Sequence, residues 1–351
     1  MAEQHITNAD VRRLHEVEIT ERLGLQEVPE FISWRAPSWV SKSRNAAGAV
    51  AIKTVHSLNP EVLFAETQQQ VHILRQVRAN DGNVINFLEA PWLEKPQDLP
   101  GAFTCTVSEL LPESQVDTGE YAGAIGSMHV ASKRVDLTGV RLVDPLESIG
   151  NMTNTLRHLR SLRKQGKHFQ TGDTRISYAQ HDRIEQVVAE TYLLRGQLCS
   201  LAKENGSPLV LVQEDVRIDN AGKDVHGTPT ILDIDPQIGP AAIDFGRVIN
   251  DWPRFKNAAR ATQVETYLAA YEEATGALPP PEELELAARF SNHRSSVVQT
   301  GMVVSGVMNG HPGYEWLLNE SLYRLTVIDE PDAPWHADDS ARRAQEIPFN
   351  V

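Results

Sequence analysis

The chain has 351 residues, more than one compact core usually spans, so two lobes or domains are expected. With 41% apolar and 23% charged residues its composition is ordinary for a globular protein, which excludes collagen-like, coiled-coil and fully disordered classes. Its 33 basic and 47 acidic residues leave a net charge of −14, which argues against a nucleic-acid partner and favours cationic over anionic ligands.

Two cysteines, Cys105 and Cys199, are too few for a disulfide framework or a cysteine-ligated zinc site, and buried reduced thiols are expected. The first residues hold no apolar signal core. No window approaches the ~18 apolar residues of a membrane helix. A soluble, cytoplasmic protein without a membrane partner is the expectation.

In chain order, residues 10–24 read as a helix with Val11, Leu14, Val17 and Leu23 on one side. Residues 31–55 are rich in β-branched and aromatic residues and broken by Ala-Pro-Ser and Asn-Ala-Ala-Gly. They predict three short strands joined by two turns. Asn59-Pro60 opens a helix that carries Val62, Phe64, Val71 and Leu74. Strands are predicted at 83–88 and 102–109, and Leu110-Leu111-Pro112 closes the block.

Beyond residue 117 the pattern turns helical. Helices are predicted over EYAGAIGSMHVASK, 145–164 and 179–204. SPLVLVQED and TPTILDID read as a strand pair, a buried hairpin within the helical part. Helices return at 256–275, 282–299 and 313–325, and residues 329–351 read as an extended tail. The expected fold class is α+β, with a small β-rich N-lobe (1–112), a larger, mainly helical C-lobe (113–328) and the tail.

Four groups stand in a suggestive order. Lys53 ends a strand, Glu66 lies on the next helix, Asp215 and Asn220 stand in the loop after LVLV, and Asp233 ends the following strand. Phosphoryl transfer needs a strand lysine at the nucleotide phosphates, held by a carboxylate. Glu61, one turn before Glu66, is a rival for that role. Mg²⁺ takes hard oxygen ligands, so an Asp and an Asn amide suit it, with Asp235 competing against Asp233. A further carboxylate must take the proton of the acceptor hydroxyl.

These residues resemble the aminoglycoside phosphotransferase and choline kinase branch of the protein-kinase-like fold. QEDVRIDN, with Asp215 and Asn220, is similar to the family's His-x-Asp…Asn loop. ILDI, with Asp233, is similar to its Ile-Asp segment, and GPAAIDFG, with Asp244, to its Gly-Asp-Pro-x-x-Asp segment. GAIGSMH, ending at His129, resembles the family helix beyond the hinge.

The resemblance implies a two-lobed protein-kinase-like fold, with ATP and Mg²⁺ bound between the lobes. It implies Asp215 as catalytic base, Asn220 and Asp233 as metal ligands, Lys53 at the phosphates and Glu66 as its partner. It also implies a hinge over Glu109–Leu111 and Asp244 as a brace behind the catalytic loop. The activity it implies is ATP-dependent transfer of the γ-phosphoryl group to a hydroxyl of a small molecule, a cationic antibiotic such as an aminoglycoside being the first expectation. A metabolite kinase for amino alcohols or sugars, and a nucleotide-binding pseudokinase, are the alternatives.

The sequence departs from the family at Gln213 in place of His, and at Pro240 and Ala241 in place of Asp-Pro. It has no GxGxxG between residues 34 and 44, where Ser38 or Ser41 would serve instead. The basic run 157–167 reads either as the solvated side of an amphipathic helix or as a lid whose Arg157, Arg160 and Arg163 meet an anionic substrate group.

Overall fold

The computed structural model describes residues 8–35, 38–46, 48–95, 101–111, 115–143, 150–171, 174–213, 216, 218–232, 234, 237–254, 259–308, 315–326 and 328. Helix α1 (Asn8–Leu14) runs through a π-helical turn (His15–Ile19) into α2 (Thr20–Leu23). Then come β1 (Glu30–Arg35), β2 (Ser38–Asn45), β3 (Gly48–Ser57), α3 (Pro60–Ala79), β4 (Trp92–Glu94) and β5 (Ala102–Glu109). They are followed by α4 (Thr118–Ser132), α5 (Gly150–Lys164), β6 (Phe169–Thr171), β7 (Thr174–Ile176), α6 (Tyr178–Glu204) and β8 (Leu209–Val212). A 3₁₀ turn (Ile218–Asn220) leads to β9 (Ala221–Lys223), β10 (Pro229–Ile231) and β11 (Gln237–Pro240). The last elements are α7 (Ala242–Arg254), α8 (Ala259–Thr275), α9 (Pro281–Met308) and α10 (Glu315–Thr326).

The fold is α+β, as expected from the sequence. The chain divides into two units: one holds α1–α4, β1–β5 and the β9–β10 hairpin, the other α5–α10 with β6–β8 and β11.

In the first unit the strands form an antiparallel sheet in the order β1-β2-β3-β5-β4. The three-strand expectation for 31–55 holds. Alternation sends Val50, Ile52 and Thr54 of β3 to one face, where Trp39, Phe103, Cys105 and Val107 meet Val11, Leu14, Ile19 and Leu23 of the N-terminal helices. Lys53 therefore projects from the other face. Residues 83–88 are not the predicted strand. They make isolated bridges, Val84 with Ile231 and Phe87 with Ser108, because neighbouring residues turn to different partners. Helix α3 is buried only in its second half, through Val71, Ile73, Leu74 and Val77, whereas Val62 is 61% exposed.

The second unit is built on α9, which lies against α5, α6, α7 and α10. One core cluster joins Leu156 and Leu159 of α5 to Ile184, Val187, Val297 and Leu322, and a second surrounds β8 through Val210, Val212, Ile243 and Phe290. A Cβ on Gly246 would stand 2.3 Å from the Ala287 carbonyl oxygen, so α7 meets α9 at backbone distance. Four features differ from expectation. Helix α7 and the β6–β7 hairpin lie where no element was predicted, and α9 runs on to Met308. The predicted strand pair is also re-partnered: β8 pairs with β11, and β10 with β9. The predicted tail lies outside the described residues.

Both thiols are free, Cys105 buried and Cys199 half-buried. Burial pushes both of them up, so neither is a nucleophile at neutral pH.

His15 pins the N-terminal helices to the sheet. It is 1% exposed, and its Nε2 and Nδ1 hydrogen-bond the hydroxyls of Thr54 (2.8 Å) and Ser41 (3.0 Å). Each hydroxyl can donate or accept, so the neutral ring is satisfied in either tautomer. Burial pushes its pKa down to about 4. A lowered imidazole pKa leaves stability intact above the unfolded value near 6.5 and removes it as pH falls towards the folded value. Wild-type denaturation midpoints should therefore drop between pH ~6.5 and ~4, by up to about 3 kcal/mol, and His15→Gln should flatten that slope. Equal slopes in the two proteins would refute the assignment.

Candidate active site

Lys53 stands on the central strand β3, paired with Val40 of β2 and Thr106 of β5, and its side chain is exposed. Glu66 is exposed on the first half of α3, and among the described residues no ion pair joins it to Lys53. Its rival Glu61 is engaged elsewhere, 3.1 Å from Lys95 Nζ, and that lysine holds the Glu61 carboxyl below the usual carboxylate range.

Glu109 closes β5. Its amide donates to the Asn86 carbonyl (3.0 Å), and its Oε1 accepts from the Asn86 amide (3.1 Å). The Leu110 amide donates to Ala49 O at 3.3 Å. Two of the three backbone amides of 109–111, the expected hinge, are thus committed, to Asn86 and Ala49. Leu111 covers β9: a Cβ on Gly222 would come within 2.9 Å of Leu111 Cδ1, so a larger residue there would push the leucine side chain aside.

Asn220 ends the 3₁₀ turn. Its carbonyl accepts from the Leu232 amide at 2.8 Å, closing a hairpin in which Ala221 faces Ile231. Positions 220 and 232 are thereby neighbours, although eleven residues intervene in the sequence. The expected catalytic base Asp215 and metal ligand Asp233 lie outside the described residues. So does Asp235.

The frame around residue 215 is described on both sides. Val216 is fully buried. The Gln213 amide donates to both carboxylate oxygens of Asp244, at 3.0 and 2.9 Å, and Asp244 is itself fully buried. The brace acts on the backbone of residue 213, which every residue type but proline supplies, so the exchange of His for Gln leaves it in place. Burial, followed by the Asp244 charge, pushes the Tyr271 phenol up.

Sequence reasoning missed the ties on the β9–β10 hairpin. Lys223 Nζ lies 2.6 Å from Glu120 Oε1, in the capping box of α4. Arg78 Nη2, at the end of α3, lies 3.2 Å from Asp224 Oδ2. Only pairing across more than a hundred residues reveals these contacts, and no local pattern signals them.

The basic helix α5 is matched with α6. Arg160 Nε lies 2.6 Å from Glu185 Oε1, Arg163 pairs with Asp182, and the Arg163 guanidinium stacks 5.4 Å above Tyr178. Two of the three arginines expected of a lid are thus engaged by acids on the next helix. Among the described residues no cluster of three His, Cys, Asp or Glu side chains offers a metal site. The donor set expected from the sequence, an Asn amide oxygen and an Asp carboxylate, does fit a hard divalent cation. A shallow groove of about 660 Å³ along α6 and α9, lined by Tyr192, Leu193, Leu201 and Leu286, includes none of the expected site residues.

Truncating Asp244 isolates this brace. Asp244→Ala leaves the Gln213 amide buried without its acceptor and should cost about 1–3 kcal/mol, while Asp244→Asn retains one acceptor oxygen and should cost less. Urea midpoints of the two variants measure the difference, and an Ala variant as stable as wild type would remove the brace.

No family model matches the chain, and no curated protein matches its sequence. Solved structures do match its fold. An amicoumacin kinase in complex with AMP-PNP, Ca²⁺ and Ami superposes with a TM-score of 0.64 at 13% identity, covering 95% of this chain and 100% of that one. A choline/ethanolamine kinase family protein from Mesorhizobium loti gives a TM-score of 0.54 at 14% identity, with 97% and 100% covered. Spectinomycin phosphotransferase in complex with ADP and its antibiotic gives 0.51 at 13%, with 94% and 99% covered. The resemblance seen in the motifs thus extends to the whole architecture, and the chain has the kinase-like fold shared by aminoglycoside phosphotransferases and choline/ethanolamine kinases.

Proposed function

We propose that the protein is an ATP-dependent O-phosphotransferase acting on a hydroxyl of a small molecule. The observation that supports this most is the hairpin that joins Asn220 to Leu232, the residue before Asp233, in a chain folded like antibiotic kinases.

In this reading the Asp215 carboxylate accepts the proton of the acceptor hydroxyl as its oxygen bonds to the γ-phosphorus. The bond from that phosphorus to the β–γ bridging oxygen breaks, and ADP leaves. Lys53 lies along the α- and β-phosphates, with Glu66 turning in to hold it once nucleotide is bound. Leu111, whose neighbours Glu109 and Leu110 have committed amides, presents its backbone to the adenine edge. Asn220 and Asp233 hold Mg²⁺, which when bound offsets charge on the phosphates. Asp244 acts from behind, fixing the backbone that leads into residue 215.

A cationic antibiotic is the first acceptor class. The net charge of −14 attracts cations, and Glu265, Glu272 and Glu273 on α8 are exposed. The likeness to a choline/ethanolamine kinase family protein supports amino alcohols as the second class. The protein acts in the cytoplasm, where ATP is supplied.

The deciding measurement is ADP release from Mg-ATP across aminoglycosides, other hydroxylated antibiotics, amino alcohols and sugars. Asp215→Asn should lower acceptor-dependent release by about 10²- to 10⁴-fold, and Asp233→Ala should abolish the thermal stabilisation given by Mg-ATP. Mg-ATP binding without turnover on any acceptor would favour a pseudokinase, and absence of binding would overturn the reading.

A further inference from the structure

The β9–β10 hairpin has two unlike ends. At its turn Val225, His226 and Gly227 are exposed, yet Asp224 beside them is 6% exposed. A hairpin-turn aspartate is ordinarily solvated, because its role is to accept amides of its own turn. Asp224 does that, its Oδ1 accepting from the amides of His226 and Thr228 at 2.9 Å each. Its other oxygen faces inward to Arg78 Nη2. Burial works to raise this carboxyl, but the amides of Thr228 and His226, and then Arg78, outweigh it and hold it below the usual carboxylate range.

The other end of the hairpin carries Asn220 and Leu232. Arg78 thus grips the turn of a two-stranded lever whose open end carries Asn220, one of the residues assigned to the metal. Arg78 is also placed at the root of α3. No residue is buried in the first half of that helix, which carries the exposed Glu66, and its buried residues all lie beyond position 70. One turn earlier, Arg75 donates from Nε and Nη2 to the Phe87 carbonyl at 3.1 and 3.0 Å. The segment it holds feeds back to the hairpin, the Ile85 amide donating to Ile231 O and the Ile231 amide to Asn83 O. Root of helix and both edges of the hairpin form one connected frame.

We propose that Arg78 is a positioning residue, a strut from the root of α3 to Asp224 that sets the register of the hairpin end where Asn220 meets Leu232, the residue before Asp233 in the sequence. This rests on the kinase reading only for the metal's role; the mechanical coupling stands on the contacts alone. Because the bridge to Asn83 and the Lys223–Glu120 pair also hold the hairpin, losing Arg78 should loosen it rather than unfold it.

Arg78→Gln is the clean variant, since Asp224→Asn also weakens the turn. In the nucleotide-free protein, Arg78→Gln should speed amide exchange of Ile231 and Leu232 about tenfold while leaving Ile52 of β3 unchanged. It should raise the Mg²⁺ concentration for half-maximal ADP release roughly 10-fold without altering acceptor KM. Arg78→Lys should restore most of both effects, and Arg78→Gln should add nothing on an Asp224→Asn background. Unchanged exchange at Ile231 and Leu232, or equal acceleration at Ile52, would overturn the strut. A wild type that releases no ADP would refute the kinase reading alone, and the exchange arm would still decide whether Arg78 holds the hairpin.

Discussion

The hydrogen bond from the Leu232 amide to the Asn220 carbonyl closes a hairpin of only three residue pairs, and the candidate site depends on it. Two short strands are at best marginally stable on their own. This pair persists because it is held from outside on every side: Leu111 over Gly222, the Asn83–Ile85 bridge on Ile231, Glu120 on Lys223 and Arg78 on Asp224. A short ladder braced by two helices holds its end residues in a more fixed geometry than a free loop would.

A second constraint is the buried carboxylate of Asp244. A carboxyl group removed from water is tolerated only when its oxygens are satisfied, and the amide of Gln213 meets both of them. The bond fixes the backbone of residue 213, two positions before Asp215 in the sequence. It also explains how the chain departs from the family motif at 213 without losing the brace, since the contact belongs to the backbone. Around it the packing leaves no slack: Phe245 meets Tyr271 edge-on at 4.5 Å, and Gly246 lets α7 rest on the backbone of α9.

Charge is distributed with a purpose that composition hides. Two arginines of the basic stripe of α5, Arg160 and Arg163, are paired with acids of α6. Exposed pairs of this kind contribute little stability each. They match charges locally and leave the net charge of −14 unchanged.

The sequence by itself determined what local chemistry can write. Runs of β-branched and aromatic residues between turn residues marked β1–β3, Pro60 marked the start of α3, and the segments around Lys53, Glu66, Asp215, Asn220 and Asp233 pointed to a kinase-like chain through their resemblance to that family. Tertiary structure alone decided which strands pair. The apolar runs of β8 and β10 look like partners, yet β8 takes β11 and β10 takes β9, because pairing depends on what each face is packed against and not on hydrophobicity. It likewise decided that residues 83–88 bridge rather than form a strand, that Arg160 and Arg163 turn to α6, and that Arg78 reaches Asp224. Those outcomes are contacts between residues remote in the chain, and a sequence pattern holds information about neighbours in sequence, not about the distant groups that burial brings together.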